Sequence, residues 1–174
     1  MKLRIGLGLF LLGLAGPALA ERLTFDHRLQ PKLKEVLDSG DTAKIDFNNA
    51  NPRYVIDRIV VRGNSPADWS ELLEVIARTP TKGMNSARDW MAELRRQADE
   101  RCPGQVEVLA EDANSVTFER QAPQPCAGEP VRSGLYRVVA GKRSLFLLAV
   151  HAKEPMSAAE RADWLAMLAS AHLD

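Results

Sequence analysis

Residues 143–152 read RSLFLLAVHA, and this stretch decides how the rest of the chain is arranged. Two apolar sets alternate along it, Leu145, Leu147 and Ala149 on one side and Phe146, Leu148 and Val150 on the other. A strand that is apolar on both faces belongs at the centre of a sheet, where other elements cover it from both sides. We therefore predict a central strand between two packed layers.

Two hairpins are predicted around this strand. GLYRVVA (134–140) precedes it across a Gly141–Lys142 turn, and further upstream QVEVLA (105–110) and SVTFERQ (115–121) flank the polar turn EDAN. A Pro/Gly-rich loop, PQPCAGEP (123–130), joins the two hairpins. Because strands joined by tight turns are antiparallel, four consecutive antiparallel strands are expected.

A fifth strand and a helix are predicted before these hairpins. RYVIDRIVVRG (53–63) is rich in β-branched residues and is typical of a strand. NSPADWSELLEVIAR (64–78) has the pattern of a helix, with Ser65 as its cap, Pro66 at its first position and an apolar stripe from Trp69 to Ile76. On this interpretation Glu71 and Glu74 lie on the outer, solvated face.

Two more helices follow from capping patterns. Residues 85–102, NSARDWMAELRRQADERC, carry Ser86 with Asp89 three positions later, and residues 154–174 carry Ser157 with Glu160. Each of the three predicted helices then holds one tryptophan, the residues being Trp69, Trp90 and Trp164. Large aromatic residues are most often buried, so all three are predicted to be core anchors.

The predicted order is strand, helix, helix, four strands, helix. This order indicates an α+β fold in a single domain, with a mostly antiparallel sheet of about five strands and helices packed on it. The domain is predicted to span residues 53–174. Residues 21–52 are predicted to be an N-terminal arm that wraps the domain or a partly mobile tail, with a short helix at Pro31–Leu37 that Gly40 ends.

Residues 1–20 have the layout of a secretory signal peptide. Lys2 and Arg4 precede an uncharged apolar run from Ile5 to Ala15, and Ala18-Leu19-Ala20 offers small residues for cleavage after Ala20. The run is too short to span a bilayer, so no stable membrane anchor is expected after cleavage. We predict a periplasmic or secreted protein.

Charge argues against nucleic acid as a partner. The chain has 23 basic and 23 acidic residues, and loss of Lys2 and Arg4 with the leader leaves 21 basic residues, for a net charge of −2. Nucleic-acid binding depends on neutralising phosphates with an excess of basic groups. No nucleic-acid partner is expected.

The two cysteines, Cys102 and Cys126, could be a redox pair, half of a metal site, a nucleophile with a bystander, or a disulfide. An exported pair with no third cysteine most simply closes on itself in an oxidising space. The predicted hairpin between them also brings its flanks together. We therefore predict a Cys102–Cys126 disulfide that stiffens the intervening segment.

Motifs for catalysis and metal binding are missing from the sequence. The three histidines, His27, His151 and His172, are far apart, and no paired C-x-x-C or G-x-S-x-G is present. No metal and no cofactor are expected. If an enzyme site exists, His151 with nearby Arg137 or Tyr136 is its best candidate.

Residues 131–173 resemble the end of Mog1/PsbP-like proteins. The resemblance rests on GLYRVVAGKRSLFLLAVHAKEPMSAAERADWLAMLASAHL, a hairpin with a Gly-Lys turn, an apolar strand, a polar break and a C-terminal helix. The predicted Trp-bearing helix after the first strand also resembles small secreted proteins of Gram-negative bacteria. The two consecutive predicted helices before Cys102, and the cysteine pair, depart from the Mog1/PsbP pattern. The resemblance implies an antiparallel sheet between helices and a binding or accessory role, and it carries over no catalytic residue.

Three functional hypotheses follow. The first is a small exported non-catalytic binding or accessory protein with an envelope protein as partner. The second is an inhibitor or immunity-type protein against an envelope-acting enzyme, and the third is an enzyme with a site around His151. The candidate binding surface lies in and beside the disulfide-stiffened loop and comprises Gln124, Pro125, Gly128, Glu129 and Arg132.

Overall fold

The computed structural model describes residues 21–48, 54–122, 126 and 131–174. The predicted leader, residues 1–20, lies outside them. The strands of the described part are β1 (Leu23–Thr24), β2 (Ile45–Asn48), β3 (Tyr54–Ser65), β4 (Asp68–Arg78), β5 (Gln105–Glu111), β6 (Ser115–Gln121), β7 (Ser133–Ala140), β8 (Leu145–Ala152) and β9 (His172–Leu173). The α-helices are α1 (Pro31–Ser39), α2 (Ala87–Arg101) and α3 (Ala158–Ala169).

Seven strands form one sheet in the order β2-β3-β4-β8-β7-β6-β5, and every neighbouring pair is antiparallel. β1 and β9 form a separate two-stranded pair. The predicted α+β class is therefore confirmed, and the predicted count of about five strands is wrong. The two additional strands are β4, for which the sequence pattern predicts a helix, and β2, which lies in the predicted arm.

The prediction for residues 143–152 is confirmed, because β8 is the fourth of the seven strands and pairs with β4 on one side and β7 on the other. Its side chains are buried on both faces except for half-buried His151. One face packs against α1 and α3 through Leu148, Val150 and Trp164, among others. The opposite face packs against α2, which lies over β6 and β7 and buries Trp90. The domain thus has three layers, with the sheet in the middle.

The helix predicted for residues 64–78 is wrong, because residues 68–78 are strand β4. The Ser65 side chain accepts a hydrogen bond from the Asp68 backbone N–H at 3.2 Å, as a helix cap would, but here that bond closes the β3–β4 hairpin turn. Pro66 suits this turn as well as it suits a helix start. The expected helical stripe is instead split between two sheet faces, since Leu73 lies toward α3 while Leu72 lies on the α2 side.

This correction also changes the positions of Trp69, Glu71 and Glu74. Trp69 is only half-buried and is not a core anchor, whereas the predicted burial of Trp90 and Trp164 is confirmed. Glu71 is 4% exposed, accepts a hydrogen bond from the Trp164 indole N–H and pairs with Arg62 Nε at 3.0 Å. The expectation of a solvated acidic face is therefore wrong here.

Helices α1, α2 and α3 are confirmed with their predicted signals. Ser86 with Asp89 and Ser157 with Glu160 both form reciprocal capping boxes. Gly40 follows α1 with a φ of 65°, the left-handed conformation that glycine adopts easily at a helix C-terminus.

The described part of the predicted arm contacts the rest of the fold at several points. The α1 side chains Leu33, Val36 and Leu37 are buried in the core on the α3 side of the sheet. The Glu21 carboxylate accepts hydrogen bonds from the backbone N–H groups of Lys142 and Arg143, at 2.6 and 3.0 Å, in the β7–β8 turn.

We predict that Gly63→Ala destabilises the protein by about 2 kcal/mol, because Gly63 has a φ of 125° and an added Cβ would lie 2.6 Å from the Trp69 Cα atom. Gly83→Ala is the matched control, since a Cβ there meets nothing within 4 Å. Urea unfolding of both variants measures the difference. Equal stability of the two variants would contradict the hairpin geometry of β3 and β4.

We predict that Asp57→Asn raises the melting temperature by a few degrees above pH 6. Asp57 is 4% exposed on β3, and its burial, together with the charge of Asp46, raises its pKa from 3.8 to about 6. The folded state therefore binds more protons than the unfolded state between about pH 4 and 6, so this group lowers stability as pH rises through that window. Melting curves of both proteins from pH 4 to 8 should diverge with rising pH, and parallel curves would refute the assignment.

Candidate functional site

The Cys102 and Cys126 sulfur atoms lie at disulfide-bond distance, 2.06 Å apart. Cys102 follows the last residue of α2 and is 1% exposed, while Cys126 lies between β6 and β7. The pair therefore connects the C-terminus of α2 to the β6–β7 connection across the β5–β6 hairpin.

Arg120 on β6 strengthens the same junction. Its guanidinium is buried and donates to the carbonyl oxygens of Cys102 and, at 3.5 Å, Ala98. The Ala98 carbonyl also accepts from the Cys102 backbone N–H at 2.8 Å, but the Cys102 carbonyl lies past the last helical hydrogen bond, at the negative end of the helix dipole. A cation at this position therefore satisfies the end of α2 and holds the helix against β6.

A cleft of about 270 Å³ lies beside this junction, on the α3 side of the sheet. We call it the Arg132 cleft. Its polar lining consists of Gln105, Glu119, Gln121, Arg132, Ser133 and Arg161, and its apolar lining of Ala122, Pro155 and Met156. The cleft thus combines the ends of β6 and β7 with the start of α3.

The base of the Arg132 cleft is an ion pair whose groups are already satisfied. Glu119 is 5% exposed, and its carboxylate accepts from Arg161 at 2.6 and 2.8 Å and from the Gln121 amide at 2.8 Å. Burial opposes ionisation of Glu119, but these hydrogen bonds and the charge of Arg161 outweigh burial and lower its pKa. Glu119 therefore stays ionised and holds Arg161 in place.

Arg132 has a weaker counterion. Its backbone is fixed by hydrogen bonds of 2.9 Å with Ala122 and Ala152. Its side chain reaches Glu154 only at 3.8 Å, Glu154 is 80% exposed, and the Arg132 Nε has no hydrogen-bond partner among the described residues. Surface pairs of this kind contribute little, so the Arg132 guanidinium can change partners at small cost.

A second concavity, of about 280 Å³, lies on the α2 side of the sheet and is called here the His151 basin. Arg58, Glu74 and His151 provide its polar lining, and Pro66, Trp69, Leu72 and Val131 its apolar lining. Arg58 Nε lies 2.9 Å from one Glu74 oxygen, and His151 Nε2 lies 3.7 Å from the other. Burial opposes ionisation of Glu74, but His151 and Arg58 outweigh it and lower the pKa of this carboxyl.

The candidate enzyme residues do not meet in one place. His151 and Tyr136 share the α2 side, with their rings edge to face at 5.7 Å between centroids. Arg137 lies on the opposite side, where it donates to the Thr117 hydroxyl at 2.9 Å and to the Ala171 carbonyl. The described lining of the basin also holds no serine, threonine or cysteine.

Of the predicted binding surface, Arg132 lies in the described part and lines a cleft, while Gln124, Pro125, Gly128 and Glu129 lie outside the described residues. Sequence reasoning missed Glu119, Gln121 and Arg161. One signal was available, because Ser115, Thr117, Glu119 and Gln121 put a fully polar set on one face of β6. The structure buries Ser115, Thr117 and Glu119 of this set, and buried polar groups need hydrogen-bond partners, so such a face indicates a polar site beneath a neighbouring element.

No protein-family model, curated protein or solved structure matches this chain. Among the described residues, no group of three or more His, Cys, Asp or Glu side chains is placed to hold a metal ion. No helix in the described ranges is long and apolar enough to cross a membrane.

We predict that Cys102→Ser lowers the free energy of unfolding by about 3.5 kcal/mol, the chain-entropy value for cysteines 24 positions apart. Reductant should destabilise the wild type by a similar amount and leave the variant unchanged. Thiol labelling of the native protein should find no free cysteine. Two reactive thiols in the native protein would contradict the disulfide.

Proposed function

We propose that this chain is a small exported non-catalytic binding protein of the periplasm or extracellular space, accessory to a protein of the cell envelope. The observation that carries the proposal is the Arg132 cleft, where a positioned guanidinium lines a concave surface and, among the described residues, has one exposed counterion at 3.8 Å. Such a group is available to a ligand from outside the chain.

The chemistry of the cleft favours a carboxylate ligand. Arg161 is committed to Glu119 by two short hydrogen bonds, so the available positive charge is that of Arg132. A guanidinium can hold a carboxylate through two parallel hydrogen bonds. The cleft volume of about 270 Å³ suits a single acidic side chain or a chain terminus, because larger ligands need larger cavities.

The disulfide supports a binding role because it constrains the chain that leads to Arg132 before any ligand binds. Arg132 follows the Cys126-containing connection, and this connection is tied to the buried Cys102. Fixing a binding segment before the ligand arrives reduces the entropy that binding would otherwise cost. Arg120 on β6 holds Cys102, the other end of this bond, through the Cys102 carbonyl.

Export is supported by two independent features of the chain. Residues 1–20 have the signal-peptide pattern, and the two cysteines are close enough to form a disulfide, a bond that persists in oxidising compartments. The resemblance of residues 131–173 to Mog1/PsbP-like proteins favours the same class of small accessory protein.

An inhibitor or immunity-type role is the second candidate, favoured by the position of Cys126 at disulfide distance from Cys102, in the connection that leads to Arg132. Such proteins block an enzyme by presenting a rigid segment. The two roles differ in the consequence of binding, since an inhibitor abolishes the activity of an envelope-acting enzyme and an accessory protein leaves or raises it.

We predict that Arg132→Ala weakens partner binding about tenfold or more, the loss expected when a charged hydrogen bond is removed. Glu154→Ala should strengthen binding, because it removes the competing counterion of Arg132. The measurement is quantitative capture of envelope proteins on the immobilised variants, followed by titration with the partner that is captured.

Arg95→Ala is the matched control, since Arg95 is exposed on α2 and pairs with Asp99 at 3.5 Å, away from the residues that line the cleft. It should bind like the wild type. Equal capture by the Arg132→Ala and Arg95→Ala variants would refute the proposed site.

A further inference from the structure

We propose that the His151 basin is a second recognition pocket that takes one phenol ring, the side chain of a tyrosine presented by the partner polypeptide. This inference deepens the proposed function and rests on it, because it assigns the ring to the same partner. Val131 lines the basin and the next residue, Arg132, lines the cleft, so one segment borders both concavities.

The geometry of the polar lining indicates that the ligand carries a hydroxyl group. His151 Nε2 and the nearer Glu74 oxygen are 3.7 Å apart, too far for a normal hydrogen bond between them. One hydroxyl placed between them can donate to the carboxylate and accept from the imidazole N–H. Arg58 holds the other Glu74 oxygen at 2.9 Å, so the carboxylate is already oriented.

The charges around the basin favour a neutral ligand. Arg58 pairs with Glu74 and lies 3.8 Å from Asp46, and Lys153 places its ammonium 4.7 Å from the centre of the Trp69 ring. The positive charges of Arg58 and Lys153 therefore balance the negative charges of Glu74 and Asp46. A charged ligand group would remain uncompensated in this setting, whereas a neutral hydroxyl adds only hydrogen bonds.

The apolar lining and the size of the basin indicate that the rest of the ligand is an aromatic ring. Pro66, Trp69, Leu72 and Val131 form an apolar lining, and a flat aromatic group buries more surface against such a lining than an aliphatic alcohol of the same length. The volume of about 280 Å³ is at the small end of ligand sites, which fits one ring. Tyrosine unites a ring with a hydroxyl at its far edge.

The test is an NMR titration of the isotope-labelled protein with p-cresol and, in parallel, with toluene, which has the same ring without the hydroxyl. We expect p-cresol to shift the Trp69 indole and His151 ring signals and to bind at least tenfold more tightly than toluene. N-acetyl-tyrosinamide should shift the same signals, because its backbone extends out of the basin.

Glu74→Gln should reduce the preference for p-cresol over toluene several-fold, while Arg132→Ala should leave the p-cresol titration unchanged. The Arg132→Ala variant separates the two proposals, since it weakens partner capture only if the Arg132 cleft binds the partner. If p-cresol shifts neither signal, or if toluene binds equally well, the pocket assignment is overturned. If p-cresol binds and N-acetyl-tyrosinamide does not, the assignment to a polypeptide tyrosine is overturned. The wild-type titrations decide these outcomes even if Glu74→Gln fails to fold.

Discussion

The fold depends on the antiparallel pairing of β4 with β8. Eight residue pairs, from Glu71 opposite Ala152 to Arg78 opposite Leu145, join the β2-β3-β4 meander to the β5–β8 meander. The paired strands are far apart in the sequence, so their association costs loop-closure entropy that local hairpins avoid. Burial of apolar side chains on both faces of β8 offsets this cost, because α3 and α2 then cover a continuous sheet.

The β4–β8 pairing builds the His151 basin, whereas the Arg132 cleft is formed by β5, β6, β7 and the start of α3. His151, near the end of β8, lies opposite Leu72 of β4, and both residues line the basin. On the other face, the first residue of β7, Ser133, lies beside the cleft that Arg132 borders. The disulfide and Arg120 hold β6 and the connection after it to the end of α2, and the Arg132 backbone between the two concavities is held by hydrogen bonds with Ala122 and Ala152.

The elements that depend on local physics were predictable from the sequence. The capping boxes of α2 and α3 and the two tight hairpins follow from neighbouring residues, and each is present. Of the two concavities and the junction beside them, Arg132, His151 and the cysteine pair were predictable. Glu119 and Arg161 could not be paired in advance, because they lie 42 positions apart and meet only when α3 docks on β6.

The sequence by itself determined the central strand and the caps of α2 and α3, because these rest on short local patterns, and it determined the cysteine pair, because no third cysteine offers another partner. Only the tertiary structure decided that residues 68–78 are a strand. Ser65, Pro66 and Asp68 suit a helix start and a hairpin turn equally well. Residues 68–78 form a strand because they pair with β3 on one side and with the distant β8 on the other. That choice places Glu74 and Leu72 on one face and makes the His151 basin, which no local pattern specifies.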